Sequence, residues 1–136
     1  MTAEQITLVQ QSWHYVFNVS DEIGEAFYEN LFEKAPHLRT LFHESHKVQA
    51  HKFMTLLSMM VSKLHLETEP DEMISSLGKR HTAYGVKEEY FQVFGDVLIE
   101  TLQTQLADKW NDELTQAWQM AYNQMAKLMK VGGHIV

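Results

Sequence analysis

The sequence predicts an all-α protein, and three observations carry that prediction. Apolar residues recur at three- and four-residue steps in one segment after another. Glycine and proline are scarce, six and two among 136 residues, while eight methionines and many Leu, Gln, Glu and Lys favour helix. Clusters of β-branched residues are few, and no strand is needed to account for any segment.

The elements follow in order. A first helix is expected from Thr2 to Asn18, with Ile6, Val9, Trp13 and Phe17 on one face. Ser20 and Asp21 offer an N-cap for a second, whose stripe is Ile23, Phe27, Leu31 and Phe32. Pro36 starts a short helical turn ending near Phe42, and the polar segment His43 to Lys47 reads as a loop. From about His46 to Leu64 a long helix carries Phe53, Leu56, Leu57, Met60, Val61 and Leu64. Pro70 marks a break, Asp71 or Glu72 opens a shorter helix, and Gly85 suits its C-terminal stop. Lys87 to about Leu106 forms the next helix, with Phe91, Phe94, Leu98 and Leu102 in register. Asn111 caps the last one, which carries Leu114, Ala117, Trp118, Ala121, Tyr122, Met125 and Met129 and ends at Gly132-Gly133. About six main helices and one short turn result. The length suits a single domain, 1–136, with its core over about 4–130 and a short tail at 131–136.

Composition removes several function classes. A formal charge of −7 argues against nucleic acid or an anionic membrane as partner. With no cysteine there are no disulfides, thiolate zinc sites or thiol nucleophiles. The start Met1-Thr-Ala-Glu-Gln lacks the basic and apolar runs of a signal peptide, and no run reaches membrane-spanning length, so a cytoplasmic location is expected. The chain has no P-loop, GxGxxG, HExxH or CxxC, and none of the Glu-x-x-His pairs that a di-iron bundle requires.

One residue type stands out on an apolar stripe. His81 follows Ile74 and Leu77 at helical spacing. A neutral imidazole on such a face needs a partner for its lone pair, and iron is a common one. On spacing alone, a core histidine satisfied by backbone fits as well. Upstream lie a tyrosine in an apolar stripe, Tyr28, and a phenylalanine six residues past a proline turn, Phe42.

Five segments in this order give the chain a family resemblance. They are Phe27-Tyr28-x-Asn-Leu-Phe32, Pro36-x-x-Arg-x-Leu-Phe42, Gln49-x-x-Lys52-Phe-Met54, Leu77-Gly-x-Arg-His81-x-x-Tyr84-Gly-Val86 and Ala117-Trp118-x-x-Ala-Tyr122. Together they resemble the globin family, in particular single-domain bacterial haemoglobins and the globin domain of flavohaemoglobins. The likeness implies a globin fold, in which helices pack by ridges into grooves, around a haem b pocket.

That resemblance implies roles residue by residue. His81 is the proximal iron ligand, and Phe42 lies flat against the haem. Tyr28 and Gln49 form the distal pair around bound O₂, which carries partial negative charge and accepts a hydrogen bond. Phe53, one turn beyond Gln49, faces the same pocket, where many relatives have a smaller leucine. Lys52 is placed to pair with a haem propionate, and Leu77, Tyr84, Val86 and Phe91 complete the cofactor contacts. His51 points outward and His46 lies in the loop before the distal helix. His14, His37, His43, His65 and His134 read as exposed.

In flavohaemoglobins a proximal tyrosine and a glutamate polarise the iron-bound histidine. Those positions correspond here to Phe91 and about Gly133, so both partners are lost and the electron push is weaker. No reductase domain like that of flavohaemoglobins is expected either. The first expectation is reversible binding of O₂, with capacity for NO and CO, at a five-coordinate ferrous iron in a monomer or weak homodimer. The enzymatic alternative, an NO dioxygenase or nitrite reductase, requires a separate reductase as partner. A haem-free sensor or interaction module is the third.

Overall fold

The computed structural model describes residues 1–42, 44–64, 76, 78–81 and 87–133, with 131–133 described by their backbone alone. Its α-helices are α1 (Ala3–Phe17), α2 (Ser20–Lys34), α3 (His46–Ser62), α4 (Glu88–Leu106) and α5 (Asp112–Gly133), and residues 78–81 are also helical. Short 3₁₀ helices span Pro36–Leu41 and Ala107–Lys109. Among the described residues there is no strand, as the sequence predicts, and no helix is long and apolar enough to cross a membrane. The break at Pro70 and the start of the helix before His81 lie outside the described residues.

Local chemistry accounts for most of the boundaries. Thr2 and Gln5 form a capping box, the threonine hydroxyl accepting from the Gln5 amide and the Gln5 side chain from the Thr2 amide. Ser45 accepts from the Val48 amide to start α3, and Asn111 accepts from the Leu114 amide at 2.8 Å to start α5. The second helix departs from expectation. Val19 is its N-cap, with no side-chain hydrogen bond, and Ser20 is already helical. Only Asn18 and Val19 separate α1 from α2, so the chain re-enters helix before a serine cap can form; Asp21 and Glu22 favour that N-terminus instead.

Packing forms layers around α2, which lies against α3 and α4; α1 packs on α5 and α3, and α4 on α5. Val9, Trp13 and Val16 of α1, Ile23, Phe27 and Leu31 of α2, Val97, Leu98 and Leu102 of α4, and Ala117, Trp118 and Ala121 of α5 meet in one core. Phe17, expected on the inner face of α1, is 63% exposed, and Val16 takes the buried position one residue earlier. Trp13 and Trp118 lie 5.9 Å apart in the α1–α5 contact.

Two glycines permit close crossings. A Cβ on Gly24 would lie 2.9 Å from the Ala50 Cβ where α2 meets α3. One on Gly95 would lie 2.5 Å from the Tyr122 ring where α4 meets α5. Both distances are too short for a side chain, so each glycine sets how near its helices come.

Buried polar groups in this core are paired. Ser12 Oγ donates to the Val9 carbonyl at 2.8 Å and accepts from Trp118 Nε1 at 2.9 Å. Replacing Ser12 with Ala leaves the buried indole N–H without an acceptor, at an expected cost of about 1–3 kcal/mol. Urea unfolding of the variant measures it. A loss below a few tenths of a kcal/mol would show that the indole finds another acceptor.

Candidate functional site

The candidate site is an aromatic cluster between α2, α3 and the 3₁₀ turn, with α4 closing one side. Tyr28 sits one helical turn after Gly24 and is 2% exposed. Its ring meets Phe27 at 5.1 Å, Phe42 at 5.2 Å and Phe53 at 6.2 Å, each nearly edge-on. Phe53 stacks on Phe27 at 4.8 Å, and Phe94 from α4 meets both, at 4.7 Å to Phe27 and 5.3 Å to Phe53. Phe32 extends the cluster toward Phe42 and Tyr28. Offset and edge-on pairs of this kind hold rings in fixed orientations.

The Tyr28 hydroxyl is the polar feature of this cluster. The residue is buried and its hydroxyl makes no hydrogen bond among the described residues; since no fully buried side-chain N or O atom is left unpaired there, the oxygen itself keeps some exposure. Burial pushes its pKa well above the ordinary tyrosine value, so the phenol remains a protonated donor. An unpaired donor among phenyl rings suits a ligand that brings its own acceptor. Gln49 is half-buried on α3, one residue before the Ala50 crossing, and its side-chain amide is also in no hydrogen bond among the described residues.

The expected cofactor contacts divide into three groups. Tyr28, Phe42 and Phe53 come together, whereas Leu77, Tyr84 and Val86 lie outside the described residues. His81 is the last described residue of the helical stretch 78–81 and is half-buried. Phe91 is half-buried on α4; its carbonyl accepts from the Tyr122 hydroxyl at 2.6 Å, and Lys130 Nζ lies 5.8 Å from its ring centre. Lys52 is exposed, and its ammonium is already paired with the Glu44 carboxylate. His51 points outward as expected, 3.6 Å from Asp21.

His46 stands where the long helix is expected to begin, at the edge of the segment read as a loop. It is the first residue of α3 and lies 5.1 Å from the Phe32 ring, half-buried. The Ser45 cap fixes that start within the polar run 43–47. Phe27, Phe32 and Phe94 were legible only as core positions, because helical spacing cannot separate a core ring from a pocket wall. Their association with Tyr28 follows from the α2–α3–α4 packing.

An all-helical layered fold, with a buried phenol among phenyl rings and a half-buried histidine on a further helical stretch, has the architecture of a globin. The globin family profile matches residues 25–129, and the chain belongs to that family. An anaerobic nitrite reductase of Gossypium hirsutum is 29% identical over 145 residues, covering 96% of this chain and 89% of its own length. Leghemoglobin 49 of Vicia faba is 30% identical, with 95% of each chain covered. Among solved structures, a flavohemoglobin from Malassezia yamatoensis with bound FAD and heme superposes with a TM-score of 0.83 at 17% identity. That match covers 98% of this chain and 36% of the flavohemoglobin, and it establishes the shared fold.

Tyr122 shares the chemistry of Tyr28: burial first, then the nearby Asp96 carboxylate, pushes its phenol well above the ordinary value. In the unfolded chain both phenols ionise near the usual tyrosine pKa of about 10. Above that pH the unfolded state holds fewer protons than the native one, so stability is intact below about pH 10 and falls as pH rises further. In an alkaline titration followed by phenolate absorbance, at least two of the five tyrosines should ionise only as the protein unfolds. Reversible ionisation of all five in the folded protein would contradict this.

Proposed function

We propose that this globin holds haem b and reversibly binds O₂, with NO and CO as alternative ligands. The observation that carries the reading is the protonated, hydrogen-bond-free Tyr28 phenol buried among Phe27, Phe42 and Phe53. Such a donor, unpaired and with its oxygen still accessible inside an aromatic cluster, suits a polar diatomic ligand. Aromatic rings suit one face of a haem, and the half-buried helical imidazole of His81 is the group the family resemblance assigns to the other.

When bound, haem supplies a ferrous iron with one position open to a diatomic ligand. His81 would provide the imidazole nitrogen that anchors it. Phe42 and Phe53 shape the ligand side, and Leu77, Tyr84, Val86 and Phe91 contribute the remaining contacts. Tyr28 would donate a hydrogen bond to such a ligand, and Gln49 would supply a second amide donor. Phe27 and Phe94 hold Phe53 in place. Pairing of Lys52 with a propionate involves exchange from Glu44, an exposed and therefore weak partner.

A second reading, reductase-dependent turnover of nitrite or NO, is favoured by the name of the Gossypium relative. On this chain the proximal side argues for binding. Phe91 cannot hydrogen-bond a histidine through its side chain, and the neighbouring phenol of Tyr122 is committed to the Phe91 carbonyl. Sustained turnover with a partner reductase would favour the enzymatic reading.

The absorption spectrum of the reduced protein before and after aeration tests the assignment. One broad visible band should give way to two sharp ones. His81→Ala should abolish stable haem incorporation, or leave a vacancy that free imidazole refills; ordinary haem retention would overturn the proximal assignment. Tyr28→Phe should speed O₂ dissociation about ten-fold or more, the equivalent of one hydrogen bond of roughly 1.4 kcal/mol. An unchanged rate in flash photolysis would remove Tyr28 from the ligand's surroundings.

A further inference from the structure

Phe27 is the hub of the aromatic cluster and has no exposed surface. Phe53 from α3 stacks on it at 4.8 Å with the ring planes 30° apart, and Phe94 from α4 meets it edge-on at 4.7 Å. The third side of the triangle is closed as well, since Phe94 stands at 86° to Phe53 with the centres 5.3 Å apart. Three rings from three helices therefore touch one another in pairs. Tyr28 rests on the same hub at 5.1 Å and lies 6.2 Å from Phe53.

The backbone fixes this triangle from two sides. At the α2–α3 crossing, a Cβ on Gly24 would meet the Ala50 Cβ at 2.9 Å and Met54 Cγ at 3.0 Å, so these helices are already as close as they can come. Between α2 and α4, the Asn30 amide donates to the Thr101 hydroxyl at 3.1 Å, and that hydroxyl, on a residue 1% exposed, donates to the Val97 carbonyl at 2.8 Å. With the helices held, ring size sets the room beside Tyr28. A ring in a close-packed layer moves aside only by leaving its rotamer or displacing a neighbour.

Burial differs across the triangle. Phe27 is sealed, whereas Phe53 and Phe94 are half-buried and each keeps accessible surface. The Tyr28 oxygen keeps some exposure too. The two outer rings are thus available to a ligand, and the hub behind them gives them nowhere to retreat.

We propose that Phe53 and Phe94, backed by Phe27, form a steric wall that restricts the ligand beside Tyr28 to diatomic size. Phe94 is a specificity residue in this wall, because it keeps Phe53 from being pushed aside by a longer ligand. The inference rests on the haem-pocket reading above and adds exclusion by size to it. In an open apolar pocket, each further methylene that a ligand buries strengthens binding roughly four-fold. Against a closed wall the same methylene clashes, and the gain becomes a loss.

The test titrates the haem-loaded ferrous protein with CO, methyl isocyanide and n-butyl isocyanide, which bind through the same terminal carbon and differ in the bulk behind it. The parent should bind CO and hold n-butyl isocyanide no more tightly than methyl isocyanide, a comparison that needs no substitution. Phe94→Leu and Phe53→Leu should each raise the n-butyl-to-methyl affinity ratio about ten-fold. Ser12→Ala, which loosens the α1–α5 contact away from these rings, should leave the ratio alone and so separates a wall from general softening. A parent that prefers n-butyl isocyanide several-fold has no wall, and the proposal falls. It falls equally on an unchanged ratio in both leucine variants, or on the same rise in Ser12→Ala. A rise in Phe53→Leu alone would strike Phe94 from the wall. Failure of the parent to bind CO at all would instead bring down the haem reading, and this inference with it.

Discussion

The structure depends on the close crossing of α2 and α3 at Gly24 and Ala50. With no side chain at Gly24, the helices approach until an added Cβ would collide with both the Cβ and the carbonyl of Ala50. Tyr28 follows Gly24 by one turn, and Phe53 follows Ala50 by three residues, so the same contact brings phenol and phenyl into one cluster. A wider crossing would open space between them and admit water to the hydroxyl. Core packing and site geometry are thus one constraint.

The cluster gains its chemical character from exclusion. Five phenyl rings from α2, the end of the 3₁₀ turn, α3 and α4 gather around a single phenol, and the resulting desolvation keeps its hydroxyl neutral and able to donate. Between α4 and α5 another phenol, Tyr122, is also desolvated but spends its proton on the Phe91 carbonyl. One tyrosine is therefore a structural tie and the other an available donor. Both are held neutral by burial; their hydrogen bonding separates them.

Residue patterns carried much of this forward. Five motifs in order led to the globin family, and the expected helices from Thr2, Pro36, Lys87 and Asn111 begin within a residue of where they are found. The errors are informative. Phe17 and Val16 both continue the stripe of Val9 and Trp13, and only the position of the neighbouring helices decides which is covered. Ser20 is a good cap by composition, yet the two-residue connection from α1 leaves it inside the helix.

By itself, then, the sequence determined the helical class, the order of elements, their caps and the identity of Tyr28, Gln49, Phe53 and His81 as candidates. Periodicity and capping act over a few residues, and so they can be read locally. Tertiary structure alone decided that Phe27, Phe32 and Phe94 enclose Tyr28, that Glu44 takes Lys52, and that Arg39 and His46 share one ring. Those partnerships join different elements, and they are set by crossing distance and by which groups burial leaves unpaired, which no local pattern encodes.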